Sequence, residues 1–286
     1  MKPRLWLLTA LALLAFAGNS VLNRWALAGG LIDAAGFTAI RLLAGAVMLT
    51  FLCLLKTNNR QRLCRRPTSS TLAGSLFLFV YALAFSVAYR VLDTGSGALI
   101  LFAAVQLTLL MAGFIQGHRP AAGEWLGLVL AFVGLGYLLL PAWGSPTLAA
   151  GLLMMLSGIA WGGYTLLGRS SAQPLLDTSR NFLWSLPWVV LLCWWQFTPN
   201  AWSLTGVGLA VASGALTSGL GYAIWYAVLP HWNTLQAGVL QLLVPVLAAI
   251  GGVLFNHELV TWRLAIAAGL VLGGSYLVLR VGPAKT

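Results

Sequence analysis

Acidic side chains are almost missing from this sequence: Asp and Glu number 5 among 286 residues, against 16 Lys and Arg. Charged residues together make up 7% of the chain and hydrophobic ones 60%. A soluble domain carries about 25% charged residues. Water is therefore excluded as the solvent for most of this surface, and lipid fits it. The net charge of +11 does not mark a nucleic-acid face. Its basic residues gather in short connections between apolar runs, and no basic stripe is interleaved with exposed aromatics. Cys53, Cys64 and Cys193 have neither CxxC nor ligand spacing, so a disulfide framework and a zinc site are both unsupported. No metal and no cofactor is expected. A phosphate-binding GxxxxGK[ST] loop is also absent, which argues against ATP-driven chemistry by this chain.

What is present is a succession of apolar runs. A spanning helix needs about 20 such residues, since a rise of 1.5 Å per residue must cross roughly 30 Å of hydrocarbon. Ten windows qualify: 5–27, 34–55, 71–91, 95–116, 122–141, 148–168, 179–197, 204–228, 233–255 and 261–281. The first, "MKPRLWLLTALALLAFA", has the shape of a secretory signal, but its apolar pattern resumes to Leu27 and predicts a retained helix. Lys2, Arg4, Lys56, Arg60, Arg62, Arg65, Arg66, Arg119, Arg169, Arg180, Arg280 and Lys285 then fall on one side of the membrane. Only Arg24, Arg90 and Arg263 fall on the other, so both termini are expected on the cytoplasmic side.

The chain also repeats itself. Residues 88–140 align without a gap onto 227–279, pairing Ala98 with Ala237, Gly113 with Gly252, His118 with His257 and Gly134 with Gly273. "FAGNSVLNR" (16–24) sets against "WGGYTLLGR" (161–169). The expectation is an all-α polytopic membrane protein of ten transmembrane helices, built as two inverted five-helix repeats over 1–141 and 148–286. Five is odd, so the second repeat enters the membrane from the opposite side. Such repeats characterise transporters with a binding site near the midplane.

The stretch "QLLVPVLAAIGGVLFNHELVTWRLAIAAGLVLGGSYLVL" places a proline (Pro245), glycines, an acidic loop residue (Glu258) and a glycine-rich closing helix in order. With "AFAGNSVLNRWAL" and "FTAIRLL", this pattern resembles the EamA-type, ten-helix branch of the drug/metabolite transporter superfamily over essentially the whole chain. The resemblance implies a secondary transporter, not an enzyme, that exports or exchanges small metabolites through a central cavity. It implies Arg41 at a familiar position. The sequence departs from the pattern at Gln106, where a proline is usual, and at Arg119, where an acid is usual.

Helical spacing nominates the cavity wall. Phe16, Asn19 and Asn23 lie at i, i+3 and i+7 on one face of the first helix. The repeat sets Trp161 and Tyr164 opposite Phe16 and Asn19. Ser218, Tyr222 and Trp225 share a face of the eighth helix, and Tyr81, Gln106 and Gln241 add polar points in the third, fourth and ninth. Pro245 is expected to bend the ninth. Arg41 lies about two turns into the second helix, and a charge at helix centre costs roughly 2.5–3.5 kcal/mol on insertion scales; it could meet a substrate carboxylate, cap carbonyls or reach for the interface. The amides could equally be plain interhelical hydrogen bonds. Arg24 reads as a helix-end anchor. All five carboxylates fall at span ends, so no membrane-embedded acid is available for proton coupling.

The expected partners are a small-molecule substrate and the lipid bilayer, with no nucleic acid, in a bacterial inner (plasma) membrane; the sequence leaves the oligomeric state open. Neutral or aromatic amino acids, or similar amphipathic solutes, suit an aromatic and amide wall poor in acids. Two other readings are a polytopic enzyme acting on lipids and a non-transporting interaction subunit. For the first, the nearest acid–base grouping is His257-Glu258, whose adjacent residues do not share a helical face.

Overall fold

In hydrocarbon a chain must satisfy its N–H and C=O groups without water, and an uninterrupted apolar run of spanning length does so by folding as a helix. The computed structural model describes residues 3–55, 63, 66–117, 121–139, 146–169, 171–196, 202–232, 237 and 240–281. Among these residues there are helices and turns but no strand. His118, Arg119, Cys64 and Gln236 lie outside the described residues.

The rods are α1 (Pro3–Ala28), α2 (Ala34–Leu55), α3 (Ser69–Ala88), α4 (Thr94–Ile115) and α5 (Ala122–Leu139). They are followed by α6 (Pro146–Gly168), α7 (Pro174–Gln196), α8 (Leu204–His231), α9 (Leu243–Asn256) and α10 (Trp262–Val281). Among the described residues seven helices are long and apolar enough to cross a membrane: α1 to α6 and α8. The apolar helical lengths of α9 and α10 are shorter. α7 begins on the polar stretch "PLLDTSRN". Leu43, Val47, Phe51, Val129, Phe132 and Val190 are exposed on the outer faces, as lipid-facing positions should be. The chain is an integral, multi-pass membrane protein.

Two helices depart from regular α geometry. The middle of α8, Ser213–Leu220, is a π-helix flanked by α-helical Leu204–Ala212 and Gly221–Val228. Its composition explains the change. Thr217 Oγ1 donates back to the Ser213 carbonyl at 2.7 Å, and a Cβ on Gly214 would overlap the Arg41 carbonyl oxygen of α2. α8 thus approaches α2 backbone to backbone, as small residues permit in membranes.

The helical path before α9 is interrupted at Leu242. Three residues later, Pro245 lacks the N–H that would have bonded the Gln241 carbonyl. Pro245 consequently occupies the first turn of Leu243–Asn256.

Helix pairing runs between the two halves of the chain. α1 packs on α8 and α9, α2 on α7 and α8, α3 on α6 and α7, α4 on α6 and α9, and α5 along α10. A cavity is left in the middle, where α1, α3, α4, α6 and α8 converge.

Candidate functional site

The cavity encloses about 470 Å³, within the roughly 300–1,000 Å³ of small-molecule sites. Its floor is aromatic. Trp161 of α6 stacks on Tyr164 (ring centroids 5.3 Å apart) and lies 4.8 Å from Tyr81 of α3 and 5.2 Å from Tyr222 of α8. Phe16 of α1 meets Tyr222 and Trp225 edge-on, both at 5.8 Å. These rings come from four helices, and edge and tilted contacts of this kind hold their orientation beyond area burial. Polar groups are few: Asn19, Ser20 and Thr217 towards one end, Gln106 and Gln241 in the wall, Thr165, Arg169 and Ser171 towards the other.

Eight of the sequence-nominated residues line this cavity: Phe16, Asn19, Tyr81, Gln106, Trp161, Tyr222, Trp225 and Gln241. Four are not among its lining residues: Asn23, Arg41, Tyr164 and Ser218. Tyr164 stands one ring behind Trp161, and its hydroxyl accepts from Asn181 Nδ2 at 3.5 Å. Ser218 accepts from Arg41 Nε at 3.4 Å. Phe85 and Tyr226 belong to the wall and were not nominated. Lone aromatics on apolar helices carry no signal that separates wall from packing.

The amides of "FAGNSVLNR" tie three helices together. Asn19 Oδ1 accepts from Ser213 Oγ (2.7 Å) and Thr217 Oγ1 (3.3 Å) of α8, while its Nδ2 donates to Tyr81 Oη (3.2 Å) of α3. Asn23 is fully buried. It donates to the Asn19 carbonyl at 2.8 Å and accepts from Ser86 Oγ of α3 at 3.2 Å. Asn19 is both wall and clasp; Asn23 is clasp alone.

One turn beyond the lining residue Ser20 stands a charged cluster. Arg24 Nε donates to Glu258 Oε1 at 3.1 Å, and its Nη2 to Asp93 Oδ1 at 3.2 Å. Glu258 also receives the first N–H of α4, from Thr94, on both oxygens (3.0 and 2.9 Å), and the Thr94 hydroxyl at 3.0 Å. The N-terminus of α4 has no side-chain cap from Asp93. Glu258 supplies that missing partner from the far half of the chain, where a carboxylate is favoured by the helix dipole. Arg24 is therefore the hub of an ion cluster joining α1, α4 and the α9–α10 connection. The helix-end anchor expected from its position understates it, because its partners are distant in sequence.

The opposite end is different. The lining runs out to Arg169, Ser171 and Pro174, and Arg169 is exposed. The Arg24 salt bridges to Asp93 and Glu258 stand at the other end. The described lining thus stops short of the Arg24 cluster at one end and reaches exposed Arg169 at the other. Among the described residues no group of three His, Cys, Asp or Glu could hold a metal.

Comparison with known proteins places this geometry. Residues 148–280 match the model of the EamA-like transporter family. An uncharacterized protein of Pseudomonas aeruginosa is 50% identical over 281 residues, covering 96% of this chain and 94% of that protein. The aromatic amino acid exporter YddG of Ancylobacter novellus is 26% identical, covering 74% of this chain and 76% of its own. The threonine/homoserine exporter RhtA of Escherichia coli K12 is 28% identical, covering 86% and 81%. A solved crystal structure shares the fold with a TM-score of 0.68 at 20% identity, covering 97% of this chain and 98% of its own. The chain belongs to the EamA-like transporter family.

Proposed function

We propose that the protein is a secondary exporter of neutral or aromatic amino acids, or similar amphipathic solutes, working by alternating access. The observation that carries this reading is the aromatic cavity itself, whose lining stops short of the Arg24, Glu258 and Asp93 cluster at one end and reaches exposed Arg169 at the other. That is the shape of one half of a transport cycle. The wall offers flat apolar faces with a few amides, which suits an apolar or aromatic side chain. The names of two relatives, exporters of aromatic amino acids and of threonine and homoserine, support an amino-acid cargo.

In the same reading ten helices span an inner membrane as two inverted repeats, 1–141 and 148–286, with both termini in the cytoplasm. Helix pairing supports this arrangement. Exchanging α1–α5 for α6–α10 turns the α3–α6 pair into α8–α1 and α4–α6 into α9–α1, and returns α2–α7, α4–α9 and α5–α10 to themselves. The Arg169 end would then face the cytoplasm and load cargo for export. Transport is facilitative in this scheme, since no carboxylate is among the described residues that line the cavity.

Proteoliposomes loaded with radiolabelled amino acids test the proposal. Efflux above empty vesicles for at least one neutral or aromatic amino acid is expected, unchanged when a pH gradient is collapsed. No flux across a broad amino-acid panel would refute it.

A further inference from the structure

Arg41 is 1% exposed about two turns into α2, and among the described residues no carboxylate answers it. The five acids of the chain are all described and all engaged elsewhere. Asp93 and Glu258 hold Arg24, and Asp33 accepts from the Gly36 N–H and the Trp202 indole. Glu124 accepts from the Ala121 N–H, and Asp177 from Ser171. A guanidinium keeps its charge in proteins, so an uncompensated cation is stored beside the cavity.

Its contacts lead to the wall. Nη2 donates to the Tyr81 hydroxyl at 2.9 Å, and the guanidinium lies 5.0 Å from the centre of the Tyr81 ring and 5.3 Å from that of Phe85. Both rings line the cavity. Nε reaches Ser218 Oγ at a long 3.4 Å, and Nη1 is buried with no hydrogen-bond partner among the described residues. Cation–π contact compensates only part of a buried charge. The Tyr81 hydroxyl oxygen already accepts from Arg41 and from Asn19 Nδ2. Its own proton takes no part in those two bonds, and donation from a cation makes it a stronger donor; the Tyr222 hydroxyl beside it, also on the cavity wall, competes with cargo for that proton.

We propose that Arg41, acting through the Tyr81 hydroxyl, makes the cavity select solutes that carry a carboxylate next to an apolar or aromatic body. The carboxylate accepts from Tyr81 and supplies the anion that Arg41 lacks, while Trp161 and Tyr222 cover the body. Among the described lining residues an ammonium group finds no carboxylate, only neutral amides, hydroxyls and ring faces. A zwitterion or a simple carboxylate is therefore accepted, and an amine lacking the carboxylate is rejected. Arg41 is a positioning and charge-setting residue, and Tyr81 is the group that touches cargo. This rests on the transport reading above and narrows its substrate class.

The test is competition in proteoliposomes. Flux of labelled phenylalanine, tryptophan and leucine is measured against each unlabelled amino acid, its decarboxylated amine and its deaminated acid. The amine should need at least about tenfold more than its parent amino acid for half-inhibition, the scale set by one charge-assisted hydrogen bond, while the deaminated acid competes. Arg41→Gln should bring amine and amino acid within about twofold of each other, and Arg41→Lys should restore part of the difference. If Arg41→Gln fails to fold, Tyr81→Phe carries the test with the same expected loss of discrimination. Equal competition by amine and amino acid in the unsubstituted protein, or full discrimination retained in folded Arg41→Gln or Tyr81→Phe, overturns the proposal while leaving transport intact. No labelled flux at all overturns the transport reading first and this proposal with it.

Discussion

Arg24 and Glu258 stand 234 positions apart in the chain and meet at 3.1 Å, with Glu258 simultaneously capping the first N–H of α4 through Thr94. One carboxylate thereby joins α1, α4 and the α9–α10 connection beyond the Ser20 end of the cavity. Removing its charge should weaken three contacts at once without emptying any core volume.

Glu258→Gln is therefore expected to loosen closure rather than folding. A charge-assisted hydrogen bond is worth about 1.5–3 kcal/mol, enough to shift an open–closed equilibrium by roughly tenfold or more. In a background freed of native cysteines, Ser20→Cys on the cavity wall reports this directly. An impermeant thiol reagent added at the Arg24 side should label it several-fold faster when Glu258 is Gln. Unchanged labelling would mean that the Asn19–Asn23 clasp alone holds that end shut.

Asn23→Ala should be a stability variant. The residue is buried and bridges α1 to Ser86 of α3, within reach of Ser213 of α8 at 3.4 Å. Leaving those hydroxyls unpartnered costs about 1–3 kcal/mol, which corresponds to a melting temperature lower by about 3–10 °C. Thermal unfolding in detergent, followed by tryptophan fluorescence, checks it. Substrate preference should not move, because Asn23 is not part of the wall.

Trp161→Ala should show the opposite division. Trp161 is only half-buried and faces the cavity between Tyr81 and Tyr222. Flux should fall at least about tenfold from the lost stacking surface, with the melting temperature within a few degrees of the parent. Gln241→Ala should lower flux less, since it removes one amide from a wall that keeps its rings. A large loss of stability with proportionate loss of flux would make Trp161 a packing residue instead.

The sequence carried the helices clearly, because apolar runs of spanning length admit little else in lipid. It also marked much of the wall, since helical spacing and the internal repeat both pointed to Phe16, Asn19 and Trp161. Three things were hidden. Arg24 looked like an anchor because its acidic partners are distant in the chain. Asn23 shares a helical face with Asn19 and only tertiary packing separates their surroundings. The π-helical turn in α8 had a signal, the glycine, serine and threonine of "SGALTSGLG", but such composition also serves ordinary close packing.

That turn yields the sharpest steric test. A Cβ added to Gly214 would overlap the Arg41 carbonyl oxygen and crowd Ala44 Cβ at 2.8 Å. A backbone atom cannot swing aside as a side chain can, so Gly214→Ala must push α8 from α2, the helix that carries Arg41. Overpacking of this kind costs about 1–3 kcal/mol, and the melting temperature should drop by about 3–10 °C. Gly208, four residues before the Ala212 end of the α-helical part of the same rod, has nothing within 4 Å of an added Cβ. Gly208→Ala should be neutral or slightly stabilising by its better helix propensity. The two substitutions add the same methyl group to one helix, so the difference between their melting temperatures isolates the close approach to α2. If Gly214→Ala melts with Gly208→Ala, α8 and α2 are further apart in the membrane than the structure places them.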